Sequence, residues 1–453
     1  MSKSKTASAH WSSGASFVFV AAGLAIGLGN LWRFPFLAGQ YGGGAFILTY
    51  IAAVVFFGLP IIMAELIIGR RGGGTPGQAI GNLGARSALS PVWSIIGILS
   101  LFIPFVGIAY YSVVAGWVVD FSFNFIVSGG FPAGDAASHQ GRFDAMLASP
   151  QRVMIGHFIF MALVAIVVAR GVNEGLEKMA KLLMPALFIL MISLAVFASV
   201  TGAFSEAAAF LFKPDFSKLT ADGVAAAAGQ AFFSLGIGLG ALMTFGAYLP
   251  RDVSILRVAT AVAVADTAIS LIGGLAIFPI TFALGIDPAS GPGLVFVSMP
   301  AAFAEMPGGY FVGSAFFILL FIAAFTTGVA TIEPVVAWLT DKGLNRVIAT
   351  AVAAAGAWVF GLAAAFSFNI WSDVRILSWL PSFADKTIFD VLDYSISNIF
   401  LPLNGLLIAV FAGWVLSSAA TREELRASGV THGAWRFAIR FLAPICIVFA
   451  IWL

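Results

Sequence analysis

Apolar runs of about 20 residues recur from one end of this sequence to the other. An α-helix rises about 1.5 Å per residue, so a run of this length crosses a hydrocarbon layer roughly 30 Å thick. Only 10% of the 453 residues are charged, against about 25% in an ordinary soluble domain. The sequence therefore predicts an all-α polytopic membrane protein without a separate soluble domain. We predict eleven spans, numbered in chain order, at residues 14–38, 43–69, 92–127, 153–170, 179–200, 224–249, 256–284, 309–340, 345–368, 389–418 and 434–453.

The basic residues favour one orientation, because Lys and Arg concentrate in the cytoplasmic loops of membrane proteins. We expect a multi-pass protein of the cell (inner) membrane, with membrane lipid around it and a cytoplasmic N-terminus. Since the number of spans is odd, the C-terminus is then outside. In this orientation 16 of the 23 basic residues lie inside: Lys3, Lys5, Arg70, Arg71, Arg86, Arg170, Lys178, Lys181, Arg251, Arg257, Lys342, Arg346, Arg422, Arg426, Arg436 and Arg440.

The tetrapeptide Ile-Gly-Leu-Gly occurs at 26–29 in the middle of span 1 and again at 237–240 in the middle of span 6. Glycine weakens a helix by about 1 kcal/mol and permits local unwinding. Backbone groups freed inside a membrane must find partners, and paired broken helices mark the binding sites of transporters built from inverted repeats. Two halves of five spans would have opposite topology. Close helix packing is the alternative explanation for the glycines.

Few ionisable residues lie within the predicted spans, where their cost makes them candidates for function. Asp266 in span 7 is the clearest, with pairing to a neighbouring helix as the alternative. Glu65 is expected to cap freed backbone of a broken helix, and Glu333 to repair the kink imposed by the proline that follows it. Thr326 and Thr327 offer hard oxygen ligands for a hard cation, although threonine often bonds only to its own helix.

Other functional classes lack their expected patterns. The sequence has no G-x-x-x-x-G-K-[ST] phosphate-binding loop and no potassium-channel filter. It also lacks the convergent nucleophile and base that a membrane enzyme needs. The sequence therefore predicts a transporter and not an enzyme, without a nucleic-acid partner and with no protein partner that can be inferred.

Motifs along nearly the whole chain resemble the neurotransmitter:sodium symporter family. The first is Gly-Leu-Ala-Ile-Gly-Leu-Gly-Asn-Leu-Trp-Arg-Phe-Pro at residues 23–35. Further matches are residues 42–46, 58–60, Glu65, Gly69, Arg70, Tyr110, Tyr111, residues 229–240, Thr326, Thr327 and Asp393. The resemblance implies the LeuT fold, a five-plus-five inverted repeat with broken helices 1 and 6, plus the eleventh helix found in bacterial amino-acid transporters of the family. On this basis we expect a first repeat at 1–200, an inverted second repeat at 201–420 and the eleventh helix at 421–453.

The resemblance also implies where ligands bind. Two sodium sites are expected. By position, the ligands of the first are Ala25, Asn30, Ser234 and Asp266. Those of the second are Gly23, Ile26, Ala323, Thr326 and Thr327. The substrate-binding residues are Ala25, Leu28, Gly29, Gly107, Tyr111, Phe233, Ser234, Gly236, Leu239, Thr327 and Thr331, with the substrate carboxylate on the amides of residues 28 and 29 and on the hydroxyl of residue 111.

Three positions narrow the substrate class implied by the resemblance. Family members that carry biogenic amines have an aspartate where this chain has Gly27, because their substrates lack a carboxylate. Glycine here implies an amino acid. Glycines at Gly107 and Gly236 remove volume that bulkier residues would fill, which favours a large hydrophobic or aromatic side chain.

The resemblance further implies gates and a possible anion site. The outer gate is the pair Arg33 and Asp393, for which interfacial anchoring is the alternative. The inner gate is formed by Trp11, Tyr248 and Asp341. Members of the family usually have an arginine in this gate at the position where this chain has Ser8. The possible anion site comprises Tyr50, Gln230, Ser234 and Ser270. Because Asp266 stands where many members have asparagine, we expect that its charge replaces chloride and that chloride is not required.

These features predict sodium-coupled symport of an amino acid by alternating access. Two alternatives stay open. The first is proton-coupled amino-acid transport through Asp266 or Glu65, and the second is an amino-acid-binding membrane receptor without turnover.

Overall fold

The computed structural model describes residues 10–87, 90–134, 136–285 and 293–452, and helices dominate these ranges. Nine of the described helices are long and apolar enough to cross a membrane. They correspond to spans 2–5 and 7–11, and their bounds are Gly44–Gly72, Pro91–Val127, Pro150–Ala169, Val172–Thr201, Ile255–Ala283, Gly309–Asp341, Arg346–Phe366, Ile388–Val415 and Gly429–Ala450. Shorter helices connect them: Pro76–Ser87, Ala136–Leu147, Phe204–Phe212, Leu294–Glu305 and Ser418–Leu425.

Spans 1 and 6 are broken helices. Span 1 consists of Gly14–Ala25 and Gly29–Gln40, whose axes differ by 55°. Span 6 consists of Ala221–Leu235 and Ala241–Ala247. Both breaks contain the repeated tetrapeptide. With the bent pair of span 1 counted once, ten spans meet these length and composition criteria in the part of the chain that the structure describes. The two shorter helices of span 6 occupy the position of the remaining predicted span.

The glycines of the two tetrapeptides have different structural roles. In the break of span 6, Gly236, Gly238 and Gly240 have φ angles of +62°, +82° and +78°. This left-handed region is readily adopted by glycine. In span 1 neither glycine has a positive φ, and close approach explains them instead. A Cβ atom on Gly27 would lie 2.6 Å from a threonine hydroxyl, and one on Gly29 would lie 2.9 Å from a phenylalanine ring.

The helices enclose the two breaks. The first half of span 1 packs against spans 5, 7 and 8, and span 3 packs against spans 4, 8 and 9. In the most apolar stretch of span 8, 78% of residues are buried, compared with 22% in span 11. Span 8 therefore lies in the core, whereas span 11 lies at the periphery and faces lipid.

Span 2 and the second half of span 6 are in backbone contact at Gly69, which gives a first prediction. A Cβ atom on Gly69 would lie 1.9 Å from the carbonyl oxygen of Met243. Overpacking of this kind costs about 1–3 kcal/mol or more. We expect Gly69→Ala to lower the melting temperature of the purified protein by several degrees. Gly81→Ala is the control, because an added Cβ there meets no described atom within 4 Å. Equal melting temperatures for the two variants would contradict this packing.

Candidate functional site

A cavity of about 50 Å³ lies where the two breaks meet. The structure places all the predicted substrate-binding residues on its wall: Ala25, Leu28, Gly29, Gly107, Tyr111, Phe233, Ser234, Gly236, Leu239, Thr327 and Thr331. Leu24, Ile396 and Leu401 also line it. Sequence reasoning missed these three, because an apolar residue in an apolar span carries no local signal. Their side chains make much of the wall hydrophobic.

Gly107 and Gly236, which were both predicted to leave room for a large substrate side chain, differ in their surroundings. A Cβ atom on Gly107 would meet no described atom within 4 Å, so this glycine faces open space. At Gly236 the φ angle is +62°, and a Cβ atom would lie 3.1 Å from Cγ of Leu24. The volume argument therefore applies to Gly107, whereas the backbone conformation of the break accounts for Gly236.

The predicted second sodium site lies between span 8 and the break of span 1. The hydroxyl of Thr327 donates to carbonyl oxygens near the break, at 3.1 Å from Gly23 and 3.5 Å from Ile26. Thr326 bonds to carbonyl oxygens of its own helix, and its Cβ atom would lie 3.2 Å from a Cβ atom added to Gly23. Carbonyl groups at an unwound helix are the usual sodium ligands in transporters of this architecture. The structure thus brings together Gly23, Ile26, Ala323, Thr326 and Thr327.

Asp266 lies in a buried polar network. Its carboxylate accepts hydrogen bonds from Tyr50 at 2.5 Å, from Ser234 at 2.6 Å and from Asn30 at 2.7 Å. The hydroxyl of Ser270 donates to the backbone carbonyl of Asp266 at 3.0 Å. These five side chains are at most 2% exposed. A buried carboxylate is tolerated when it is hydrogen-bonded or paired, and these donors satisfy its oxygen atoms.

Asn30 connects this network to the break of span 1. Its Oδ1 accepts the Gly27 N–H at 2.9 Å, and its Nδ2 donates to Ser234 at 3.0 Å. Gln230 donates from Nε2 to the carbonyl of Gly29 at 3.1 Å. The predicted first sodium site (Ala25, Asn30, Ser234, Asp266) and the predicted anion site (Tyr50, Gln230, Ser234, Ser270) are therefore parts of one polar region.

Two side chains satisfy the backbone of the break in span 6. Oε1 of Glu65 accepts the Gly238 N–H at 2.7 Å, which confirms the prediction that this glutamate caps freed backbone. Asn404 donates to the Gly238 carbonyl at 2.7 Å and to the hydroxyl of Ser100 at 3.1 Å. Freed backbone groups in lipid need such partners. Asn404 was missed, although a lone amide inside an apolar span was a signal that could have found it.

The predicted outer-gate residues face a second cavity of about 360 Å³, which shares Tyr111 and Phe233 with the first. Arg33 lies over the ring of Phe233, with its guanidinium carbon 5.0 Å from the ring centroid. Asp393 accepts a hydrogen bond from Ser397. Among the described residues no ion pair within 4.0 Å joins Arg33 to Asp393. The structure thus brings the two residues to one cavity but leaves them apart.

The predicted inner-gate residues are partly assembled. The indole of Trp11 donates to the carbonyl of Phe245 at 3.0 Å, and its ring packs edge-on against Tyr248. Asp341 instead accepts a hydrogen bond from Gln78 at 2.5 Å. Trp11 and Tyr248 therefore close this end together, while Asp341 binds to the connecting helix Pro76–Ser87.

Glu333 belongs to this end of the molecule as well. Its carboxylate accepts two hydrogen bonds from the guanidinium of Arg346, at 2.8 and 2.6 Å, and one from Tyr248 at 3.4 Å. The prediction that Glu333 repairs a proline kink is therefore wrong. The carboxylate is fully buried and forms an ion pair with span 9 instead.

The segment before span 1 is held to the start of span 5. The backbone N–H of Ser12 donates to Glu177 at 3.1 Å, and its hydroxyl donates to the same carboxylate. Lys181 forms an ion pair with Glu177 at 2.6 Å. Ser8 lies outside the described residues, so its place at the inner gate stays a prediction.

Comparisons with known proteins agree with this architecture. The family model described as "Sodium:neurotransmitter symporter family" matches residues 8–129 and 146–452. The "Uncharacterized sodium-dependent transporter YhdH" of Bacillus subtilis is 33% identical over 447 residues, and the alignment covers 97% of this chain and 96% of that protein. The "Uncharacterized sodium-dependent transporter" of Haemophilus influenzae shows the same identity and coverage.

Among solved structures, MhsT in complex with L-phenylalanine matches with a TM-score of 0.89 and 36% sequence identity. The match covers 98% of this chain and 99% of that chain, which confirms the predicted LeuT fold. The protein is a sodium-dependent, multi-pass membrane transporter and not an enzyme. This chain belongs to the sodium:neurotransmitter symporter family.

Proposed function

We propose that this protein carries a large hydrophobic or aromatic amino acid into the cell together with two sodium ions. The observation that carries the proposal is the cavity at the two breaks, which brings Tyr111 and the N-terminal end of the second half of span 1 together. A helix N-terminus attracts negative charge. A substrate carboxylate bound there lies beside the polar network around Asp266.

The cavity suits an amino acid better than an amine. No acidic side chain belongs to its described lining, so an amine without a carboxylate would find no direct anionic partner there. A Cβ atom on Gly27 would lie 3.5 Å from the hydroxyl of Tyr111. An aspartate at this position would fill the space that the proposed carboxylate needs. The substrate then supplies the negative charge itself.

The substrate side chain is proposed to lie toward Gly107. The open space at this glycine and the apolar side chains of Leu24, Ile396 and Leu401 favour a large hydrophobic group. The neighbouring structure of MhsT contains L-phenylalanine, which is in keeping with this choice. A competition panel of the twenty amino acids, measured by sodium-dependent thermal stabilisation, identifies the substrate.

The proposed transport cycle opens the site at the two helix breaks first to one side of the membrane and then to the other. Sodium and substrate bind from outside, and Phe233 and Tyr111 then close over them together with Arg33 and Asp393. Spans 1, 2, 6 and 7 next tilt as a unit. This movement separates Trp11 from its partners and opens the site to the inside. Two charges moving through roughly 100 mV supply about 4.6 kcal/mol, which corresponds to more than a thousandfold accumulation.

The proposed topology consists of a first repeat at 1–200, a second repeat at 201–420 and span 11 at 421–453. The protein lies in a bacterial-type inner membrane, with its N-terminus in the cytoplasm and its C-terminus outside the cell.

Uptake into proteoliposomes tests the proposal. We expect an inward sodium gradient to drive accumulation of the labelled amino acid, and an imposed proton gradient alone not to do so. Accumulation driven by protons alone would support the proton-coupled alternative. Sodium-dependent binding without accumulation would instead support a receptor.

The sodium sites give the second prediction. Asn30→Ala removes the side chain that donates to Asp266 and Ser234, and Thr326→Ala removes a proposed ligand. We expect each variant to lose at least about fivefold in sodium affinity, since a lost buried polar partner costs about 1–3 kcal/mol. Thr340→Ala is the matched control, because its hydroxyl bonds to its own helix in the same way as that of Thr326. Unchanged sodium-dependent stabilisation in both site variants would count against the assignment.

The third prediction concerns the break in span 6. Asn404→Leu leaves the Gly238 carbonyl without its amide donor, which costs about 1–3 kcal/mol for a buried group. We expect the KM for uptake to rise about tenfold. Asn398→Leu on the same span removes an amide that bonds to the carbonyl of Tyr394, within its own helix, and should leave KM unchanged. Equal KM values for the two variants would show that Asn404 does not position the break.

A further inference from the structure

Span 11 carries three basic side chains on one face. His432, Arg436 and Arg440 are spaced four residues apart, and residues at this spacing lie above one another on a helix. Three aromatic side chains of this region are exposed, since Trp414, Phe437 and Phe441 are 54%, 56% and 42% exposed. The ring of Phe441 contacts the rings of Trp414 and Phe437, and the guanidinium of Arg440 lies over the ring of Trp414. We call the region formed by Trp414, Arg436, Phe437, Arg440 and Phe441 the span 11 groove.

The two arginines of the groove bond to neutral acceptors. Arg436 donates to the hydroxyl of Thr421 at 3.1 Å and to the carbonyl of Leu416 at 3.2 Å. Arg440 donates from Nε to the carbonyl of Gly413 at 2.6 Å, and its guanidinium carbon lies 5.0 Å from the ring centroid of Trp414. These contacts hold the side chains in place but do not neutralise them.

No carboxylate compensates these charges in the described ranges of the chain, since neither guanidinium lies within 4.0 Å of an Asp or Glu oxygen. Other arginines of the same molecule do have such partners, and two of them are buried or partly buried pairs within the protein. Arg70 pairs with Glu424 at 2.8 Å, and Arg346 pairs with Glu333 at 2.6 Å. The span 11 groove therefore has an excess of positive charge on a peripheral helix.

The depth of the arginines matches a lipid headgroup. Arg436 and Arg440 bond to the carbonyls of Leu416 and Gly413, which lie within two residues of the end of span 10 at Val415. Both side chains therefore lie at the level where span 10 ends. Helical side chains point back toward the N-terminal end of their helix. Long arginine side chains also extend toward the membrane surface. Both effects direct the two guanidinium groups toward the surface at which span 11 begins.

We propose that the span 11 groove binds the headgroup phosphate of an anionic phospholipid. Each guanidinium carries five N–H donors, and the protein contacts of Arg436 and Arg440 leave donors for phosphate oxygens. The exposed rings of Phe437 and Phe441 border the acyl chains. In the orientation proposed above, the lipid belongs to the inner leaflet, whose anionic lipids attract basic groups.

Native mass spectrometry of the full-length protein tests the proposal. The protein is titrated with dioleoyl phosphatidylglycerol and, separately, with dioleoyl phosphatidylcholine. We expect the wild type to retain phosphatidylglycerol at least about tenfold more tightly, and the double variant Arg436→Gln with Arg440→Gln to lose this preference. The control is Arg170→Gln with Arg257→Gln, which removes two exposed arginines at the ends of spans 4 and 7 and should keep it.

Two further measurements separate the loss of the lipid site from the loss of the fold. The variant Arg436→Lys with Arg440→Lys keeps the charge and should restore part of the preference, while sodium-dependent thermal stabilisation shows that each variant is folded. A double glutamine variant that is folded and still prefers phosphatidylglycerol would overturn the proposal. So would displacement of the lipid by millimolar inorganic phosphate, because the groove would then be a site for a free anion.

Discussion

Asp266→Asn is expected to make transport depend on chloride. With chloride replaced by gluconate, uptake by the variant should fall about a hundredfold, whereas the wild type should be unaffected. The carboxylate accepts hydrogen bonds from Tyr50, Ser234 and Asn30 and is a proposed ligand of the first sodium ion. Removal of one partner from a buried charged pair costs about 3–5 kcal/mol, which is at least about a hundredfold in affinity.

Chloride should restore part of this loss because the same donors would surround it. Tyr50, Ser234, Ser270 and the amide of Gln230 all lie near the carboxylate or the adjoining break. The measurement is sodium-driven uptake into proteoliposomes at equal sodium concentration, in chloride and in gluconate. Full chloride-independent uptake by Asp266→Asn, or loss of wild-type uptake in gluconate, would refute the proposed role of this carboxylate.

Gly27→Ala is expected to lower the rate of transport strongly, with little change in the fold. The added Cβ atom would lie 2.6 Å from Oγ1 of Thr327, and this hydroxyl already bonds to the carbonyls of Gly23 and Leu24. It cannot retreat without giving up these bonds. A displacement of about 1 Å in such a site can lower a rate about a hundredfold. We therefore expect a loss of this size in uptake, together with the loss of sodium-dependent stabilisation.

Gly107→Ala provides the matched comparison. Its added Cβ atom points into open space in the described part of the protein, so sodium-dependent stabilisation should persist while preference shifts toward smaller amino acids. Normal uptake by Gly27→Ala would show that span 1 adjusts to a side chain at the break. An unchanged substrate preference in Gly107→Ala would show that the substrate side chain lies elsewhere.

Much of the architecture could be predicted because the membrane imposes simple rules on the sequence. Span length follows from bilayer thickness, and the two breaks follow from glycines in otherwise apolar helices. Asp266 and Glu65 could be identified as candidate functional residues because charged side chains are rare within membrane spans. The hydrogen bond between Glu65 and Gly238 shows that such reasoning can reach a specific backbone group.

The errors and omissions concern partners brought together by the fold. The sequence around Glu333 offers a proline as an explanation, but its actual partner Arg346 lies on the next span. Ile396 and Leu401 line the central cavity without any polar or glycine signal. The separation of Arg33 from Asp393 is a property of the conformation, and a sequence compatible with several conformations does not specify which one is observed.

The two copies of Ile-Gly-Leu-Gly should tolerate mutation differently. At Gly238 and Gly240 the barrier is backbone handedness, since their φ angles are +82° and +78°, and among other residues chiefly asparagine, aspartate and histidine adopt that region. At Gly29 the barrier is bulk, because an added Cβ atom meets the ring of Phe233. A second change such as Phe233→Leu can relieve it. Laboratory evolution of substrate preference can therefore proceed through compensated pairs around span 1, while the copy in span 6 stays fixed.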